Sequence, residues 1–370
     1  MNPFKPGFAR GDHFCNRIQE IASLKNNMLS GIHTVVYAPR RYGKSSLAQV
    51  LMEHLGDKMV CIYVDLLKPT SAEDVASAIY RKIVNALGAK AVDRSSVAAK
   101  IASFFKRIRL SLEFNPVTSF PEFNISLGND SAEIHLESVV SSLDEYCKAT
   151  NSKACLILDE FQEICDLKDS KKIEAILRGG MQSVENISFL MMGSRRRILK
   201  DMFEDKSRPF YKSAFVMQLE KIPANEFSAF LVKHFEDAGS SLDLTDSEQI
   251  VEFCDSYAYY VQKLAMLYFD LKQQGVSLDE VKHRLVAMEA MDFEDIYVSL
   301  TNHQKRLLKA VAKSKPLNLF AASFLFENRL GSQGGTQSSL VKLKKLDLVE
   351  QQKEGWRVVD PIFEKWLLED

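Results

Sequence analysis

Ala38-Pro39-Arg40-Arg41-Tyr42-Gly43-Lys44-Ser45-Ser46 lies between a β-branched run, Thr34–Tyr37, and a stretch in which Leu47, Val50, Leu51 and Leu55 recur with a helical period. Strand, loop and helix in that order give the residues between them a meaning. They follow the pattern G-x-x-x-x-G-K-[ST], with Ala38 in place of its first glycine. The backbone N–H groups of such a loop converge into an anion nest, and a helix beginning near Lys44 adds the positive end of its dipole. Gly43 permits the close turn, Lys44 can reach the β- and γ-phosphates, and Ser45 offers a hydroxyl to Mg²⁺. Pro39, Arg40, Arg41, Tyr42, Gly43, Lys44, Ser45 and Ser46 are therefore the expected contacts to Mg²⁺–ATP.

Outward from this loop, short apolar runs alternate with helical patterns. Residues 60–64 form a run that ends at Asp65, and 154–158 form one that ends in Asp159-Glu160. Residues 187–192 form another, ending in Gly193-Ser194, and 215–219 a fourth. Such alternation predicts a parallel sheet covered on both faces. Ser71, with Asp74 three residues on, reads as the start of a helix through residue 87. Residues 107–114 and 123–127 alternate polar and apolar side chains and read as an inserted β-hairpin. From residue 224 to 294 only helical patterns appear, such as Phe227, Phe230, Leu231 and Phe235. Beyond residue 300 three short helical patterns precede two short strand patterns around 353–355.

A hydrophobic strand ending in Asp159-Glu160 is the second half of an NTP-hydrolysing pattern. Asp159 is expected to orient Mg²⁺ and Glu160 to polarise the attacking water. Alone, the pair could equally serve as acidic caps of a following helix; the loop upstream favours chemistry. Ser194 is a candidate γ-phosphate sensor, the role of a polar residue at this strand end in ATPases with an added central strand. Arg195, Arg196, Arg197, Arg208 and Lys212 are candidates to neutralise transition-state charge, in cis or on a neighbouring subunit, although a solvated basic face would read the same way.

Composition bounds the rest. The 370 residues exceed one ordinary core and predict two or three domains. Lys+Arg number 48 against 49 Asp+Glu, so no global basic field marks a nucleic-acid partner. From Thr301 onward, however, 12 basic residues face 8 acidic ones. The six cysteines form no C-x-x-C pair and read as buried thiols. There is no secretory h-region at residues 1–10 and no apolar run of membrane length, which points to the cytoplasm.

Asn2-Pro3-Phe4, Phe14-Cys15-Asn16-Arg17, the run from Pro39 to Leu47 and Asp159-Glu160-Phe161-Gln162-Glu163 together resemble the archaeal-type ATPase family, of the STAND group of AAA+ P-loop ATPases. Gly193-Ser194, Met202-Phe203, Pro209-Phe210-Tyr211, Asp360-Pro361-Ile362-Phe363 and Trp366-Leu367 fit the same family. The resemblance implies an α/β fold: an AAA+ P-loop parallel-sheet core, an α-helical lid and a winged-helix domain. The boundaries expected are 1–222 for the core, with the hairpin at about 107–128, 223–298 for the lid and 299–370 for the winged helix. One departure lies in the lid, where the family's Gly-x-Pro ahead of Tyr-x-x-Gln is replaced by Ser256-Tyr257-Ala258-Tyr259-Tyr260-Val261-Gln262. The implied activity is ATP-dependent switching, regulatory or signalling, with a protein partner or self-association. The alternative is a DNA-associated AAA+ ATPase similar to origin-binding initiators, with Gln337, Lys342, Lys344 and Lys345 near the third winged-helix helix. A small-molecule kinase has no reason to carry a winged helix.

Overall fold

The computed structural model describes residues 2–89, 100–114 and 121–369. Contacts divide the chain into two compact units: Arg17–Ala38 with Leu47–Leu219, and Met1–Asn16 with Pro39–Ser46 and Glu220–Asp370.

The first unit is built on five parallel strands: β1 (Thr34–Tyr37), β2 (Val60–Asp65), β5 (Ala154–Asp159), β6 (Ile187–Gly193) and β7 (Phe215–Gln218). Their order across the sheet is β2-β5-β6-β1-β7. Every residue of β5 and β6 is buried, as their predominantly apolar sequences predict for strands covered on both faces. Register aligns Asp65 with Asp159 and Tyr37 with Gly193, so the polar residues that end these strands gather at the carboxyl edge of the sheet. The helices of this unit are α1 (Ile18–Leu29), α3 (Ala72–Ala89), α4 (Ala132–Ala149), α5 (Ser170–Ser183) and α6 (Arg196–Glu204); α2 (Lys44–Leu55) carries the chain out of the loop. Ser71 does cap α3: its Oγ accepts from Asp74 N at 3.2 Å, while the Asp74 carboxylate accepts from Thr70 N at 2.9 Å. The hairpin forms as β3 (Ile108–Phe114) and β4 (Pro121–Leu127), antiparallel with Ile108 opposite Leu127; its turn lies outside the described residues.

His33, just before β1, ties three elements of this unit together. Its Nε2 meets Met181 O at 3.0 Å, its Nδ1 accepts from Phe189 N at 3.3 Å, and its ring stands edge-on to Phe189. This pairing needs the neutral imidazole, and burial lowers the histidine below its ordinary value.

In the second unit four helices come first: α7 (Ala224–Asp237), α8 (Leu244–Phe253), α9 (Ala258–Lys272) and α10 (Leu278–Val298). Phe227, Leu231 and Phe235 are buried at the spacing that identified α7. The first residues of the chain dock here, with Phe4 against Phe235 and Phe269. Next come α11 (Asn302–Ser314), α12 (Ala322–Glu327) and α13 (Gln333–Lys345), then β8 (Val349–Gln352) and β9 (Gly355–Val358): three helices and a hairpin wing. Thr301 and Gln304 close a capping box on α11. Gly355 is required at the wing, because at φ 130° a Cβ there would lie 2.4 Å from Lys315 O. Helix α14 (Pro361–Glu369) was not anticipated from the spacing of apolar residues. Its signal is local: Asp360 Oδ1 accepts from Ile362 N and Phe363 N, both at 3.0 Å, and Pro361 takes the first helical position. Phe363 and Trp366 then stack beside Phe293 of α10.

Candidate functional site

In the sheet unit, Asp159 and Glu160 leave the end of β5 and Ser194 leaves the end of β6. The structure brings these three together. Asp159 is buried; its Oδ1 accepts from Glu160 N at 2.9 Å and its Oδ2 from the Tyr63 hydroxyl of β2. Glu160 sits in the left-handed region at φ 51°, uncommon for a side-chain-bearing residue and frequent where a site dictates the backbone. The Glu160 Oε2 accepts from Ser194 Oγ at 2.8 Å and from Gln162 Nε2. Two donors on one oxygen fix the direction of the carboxylate.

Gln162 belongs to a 3₁₀ turn, Phe161–Asp166, and is fully buried. Its Nε2 also approaches Glu163 Oε1 at 3.4 Å, so two carboxylates dictate which end of the amide faces them. Its Oε1 is pressed onto Gly193, where a Cβ would lie only 1.7 Å away. Gly193 O in turn accepts from Ala38 N at 3.4 Å. Gly193-Ser194 therefore does two things: the glycine makes room for Gln162, and the serine holds Glu160.

Two candidate cations prove to be internally paired. Arg195 bonds Glu163 at 2.9 Å and Asp166 at 2.7 Å. Arg208 bonds the buried Glu174 at 2.5 Å and sits 3.1 Å from Cys165 Sγ. Partial burial, followed by the charges of Asp159 and Glu160, raises the Asp65 carboxyl above its usual range.

In the other unit, Pro39, Arg40, Arg41, Tyr42, Gly43, Lys44, Ser45 and Ser46 form a continuous loop entering α2. Lys44 is buried and its Nζ donates to Pro39 O at 2.9 Å, curling the loop around its own amine. Gly43 takes φ 85° and Arg41 φ 70°. Ser46 Oγ is committed to the N-terminal segment, accepting from Ala9 N at 3.1 Å and facing Gly7 O at 3.3 Å. Arg40 is exposed.

Arg41 turns away from the loop into a cluster of carboxylates. Its Nη2 lies 2.7 Å from Glu289 of α10, and its Nη1 lies 2.9 Å from Asp360. It also donates to the Tyr260 hydroxyl, which donates to Asp360 Oδ2 at 2.7 Å. Lys263 holds the second oxygen of Glu289 at 2.6 Å. Burial opposes the guanidinium charge, but Tyr260, Asp360 and Glu289 outweigh it and raise Arg41 above its usual value. The Tyr-x-x-Gln stretch also meets the loop: Tyr259 N donates to Arg41 O at 3.1 Å, the Tyr42 and Tyr257 rings cross at 4.6 Å, and Ala258 packs on Gly43.

Sequence reasoning missed Tyr63, Gln162, Glu289 and Asp360. Tyr63 is a polar group inside an apolar run, which is a signal; Gln162 is one polar residue among several after Glu160, and nothing in the sequence links Glu289 or Asp360 to Arg41. Asp159 in the sheet unit and Ser45 in the loop each carry a hard oxygen of the kind that magnesium takes.

Comparison with known proteins agrees with this architecture. Residues 30–200 match the family model of the AAA domain, and residues 291–369 match that of a "Probable winged helix domain". No curated protein matches the chain. Among solved structures, the Walker-type ATPase PABY2304 of Pyrococcus abyssi is similar over 98% of both chains at 17% identity, with a TM-score of 0.71. The Aeropyrum pernix ORC2 protein, in ADPNP–ADP complexes, is similar over 100% of this chain and 96% of its own at 16% identity and TM-score 0.61. The Aeropyrum pernix ORC1 protein, in complex with DNA, reaches TM-score 0.51 at 14% identity over 97% of this chain and 94% of its own. At these identities the likeness is one of fold.

Proposed function

For this chain, an archaeal-type AAA+ P-loop ATPase with a C-terminal winged helix, we propose a nucleotide-driven switch of the STAND kind, acting in the cytoplasm as a regulatory or signalling ATPase on a protein partner or a second copy of itself. The core is residues 1–222, the lid 223–298 and the winged helix 299–370. Pro39, Arg40, Tyr42, Gly43, Lys44, Ser45 and Ser46 hold the phosphates of ATP or ADP; Ser45 and Asp159 serve Mg²⁺, which neutralises phosphate charge when bound. Glu160 takes the proton of the attacking water, and Ser194 with Gln162 holds its carboxylate in line. No described helix is long and apolar enough to cross a membrane.

The observation that carries the switch is Arg41. A residue of the phosphate loop is bonded to carboxylates of α10 and of the segment leading into α14. Any change in the loop that moves Arg41 changes those bonds, and by linkage the carboxylates change what the loop binds. This coupling exists only if ATP and ADP prefer different arrangements. Calorimetric titration of wild type, Arg41→Ala and Glu289→Gln with Mg²⁺–ATP and Mg²⁺–ADP tests it. The ratio of the two affinities should change several-fold in the variants. An unchanged ratio removes the switch, and absence of Mg²⁺–ATP binding to the wild type removes the ATPase reading itself.

The second reading, association with DNA, draws support from the basic balance of residues 301–370. On α13, Lys342 and Lys345 are exposed, whereas Lys344 lies over the Trp356 ring at 5.3 Å.

A further inference from the structure

Helix α10 is apolar on two faces. One of them buries Leu285, Val286 and Phe293 together with Glu289. Met288, Met291 and Val298 follow one another at i, i+3 and i+10, which puts them in a single stripe about 15 Å long on the other face. They are 56%, 77% and 72% exposed. A lone exposed apolar side chain is ordinary, but three large ones in line on one helix mark a contact surface, and methionine adapts to an irregular partner. Glu294 and Asp295 are exposed beside the stripe. Arg41 already holds Asp292 of the same helix at 3.6 Å; among the described residues, neither Glu294 nor Asp295 has an ion-pair partner.

Helix α13 presents the opposite sign. Val341 is 52% exposed, and Leu346 at the C-cap is 41% exposed. Lys342 and Lys345 are exposed beside them, and neither has an ion-pair partner among the described residues. Helix α10 packs on α9 and α14, whereas α13 packs on α11 and β8, so the two stripes are separate surfaces of one unit.

We propose that these surfaces are the two halves of a self-association contact, in which α10 of one copy of this chain docks on α13 of another. Met288, Met291 and Val298 pack on Val341 and Leu346, and Glu294 and Asp295 meet Lys342 and Lys345 at the rim. An apolar centre inside a charged rim is the usual anatomy of a protein contact. The chemistry narrows the occupant. A phosphate backbone offers nothing apolar to cover the methionines and is repelled by Glu294 and Asp295, and an anionic lipid surface is repelled in the same way. A helix with apolar and basic side chains on one face answers both needs, and α13 is such a helix. One helix laid on another is a small contact, so the association is expected to be weak and reversible. The second copy is thereby the partner of the proposed switch, and the contact uses no group of the phosphate loop.

The test is sedimentation velocity of the full chain across the micromolar range, at low and at high salt. The average mass of the wild type should rise with concentration, and salt should oppose the rise. Glu294→Lys/Asp295→Lys on α10 and Lys342→Glu/Lys345→Glu on α13 should each weaken association at least about tenfold, because each sets like charges against one another. Met291→Ser should weaken it without any change of charge, and circular dichroism on every variant guards against misfolding. The fourfold variant carrying both charge reversals should associate again, since its two faces are complementary once more. The contact is refuted if the wild type keeps the mass of a single copy throughout, if either double variant associates like the wild type, or if the fourfold variant stays dissociated. A wild type that stays single while Lys342→Glu/Lys345→Glu abolishes its binding to a labelled DNA duplex would give α13 to nucleic acid and overturn the assignment. No readout here needs nucleotide, so failure of the contact leaves the ATPase reading standing.

Discussion

Gly193→Ala is the sharpest single perturbation the structure offers. The added methyl would sit 1.7 Å from Gln162 Oε1, 2.9 Å from Gln162 Cδ and 2.7 Å from Leu199 Cδ1. Gln162 is fully buried and cannot swing into solvent. It must be displaced within a packed interior, which typically costs about 1–3 kcal/mol as overpacking. Its amide then leaves Glu160, and an unsatisfied buried polar group adds roughly 1–3 kcal/mol. The two costs share one displacement, so about 2–4 kcal/mol is expected for the variant. Gln162→Ala loses the amide bond but empties the space the methyl needs. In the double variant the clash is absent, so the two effects should not add, and a coupling of about 1–3 kcal/mol should appear. Urea denaturation of wild type, both single variants and the double variant, followed by circular dichroism, measures that cycle directly. Gly193→Ala at wild-type stability, or strict additivity in the double variant, would refute the packing argument. Because Glu160 loses the Gln162 amide that helps direct its carboxylate, ATP turnover should fall about tenfold or more in either single variant, part of the 10²–10⁴-fold range typical of a general base.

Lys44→Ala should lose most Mg²⁺–ATP affinity, read by calorimetry; full affinity with unchanged turnover would remove the phosphate-loop assignment. Glu160→Gln should still bind ATP yet turn over roughly 10²–10⁴-fold more slowly, and a wild-type rate would move the base elsewhere. His33 makes a pH prediction. Burial lowers its folded-state value below the ordinary 6.5, so the unfolded chain binds the proton first. Its contribution to stability is complete above about pH 6.5 and is lost progressively as pH falls below that. Denaturant midpoints at pH 7.5 and 5.0 should differ less in His33→Gln than in wild type, and an identical pH response would show that the imidazole is not responsible.

How much of this was legible beforehand depended on whether a feature was local. The parallel sheet was legible because β5 and β6 are almost wholly apolar, as strands covered on both faces usually are. The phosphate loop and the Asp159-Glu160 pair were legible because each is contiguous and flanked by its own structural context. The wing was legible from its two short strands, but α14 was not, since its start is set by Asp360-Pro361 and not by apolar period. Contacts between distant segments were hidden. Nothing near Arg41 in sequence announces Glu289 or Asp360, and Gln162 reads as one polar residue among several after Glu160 until β6 is laid beside its turn. Arg195 and Arg208 show the converse: their charge was visible, but not that Glu163, Asp166 and Glu174 already occupy it.

The bond between Arg41 and Asp360 also has a history within each folding event. It joins residues 319 apart in the chain, and closing a flexible loop of that length costs on the order of 5 kcal/mol in chain entropy before any contact is returned. The sheet shortens the journey. β1 and β7 are neighbours, with Leu219 N on Tyr37 O, so the chain departs toward residue 39 and toward residue 220 from adjacent strand ends. Once those strands have paired, the stretch between them no longer counts as loose chain, and only the path onward from β7 remains to be closed. Pairing the strands first therefore lowers the chain entropy still to be lost when the arginine meets its carboxylate partners. A refolding molecule should therefore regain its sheet before its phosphate loop acquires its final anchorage, and any nucleotide taken up in the interval would meet a loop whose arginine is still at liberty.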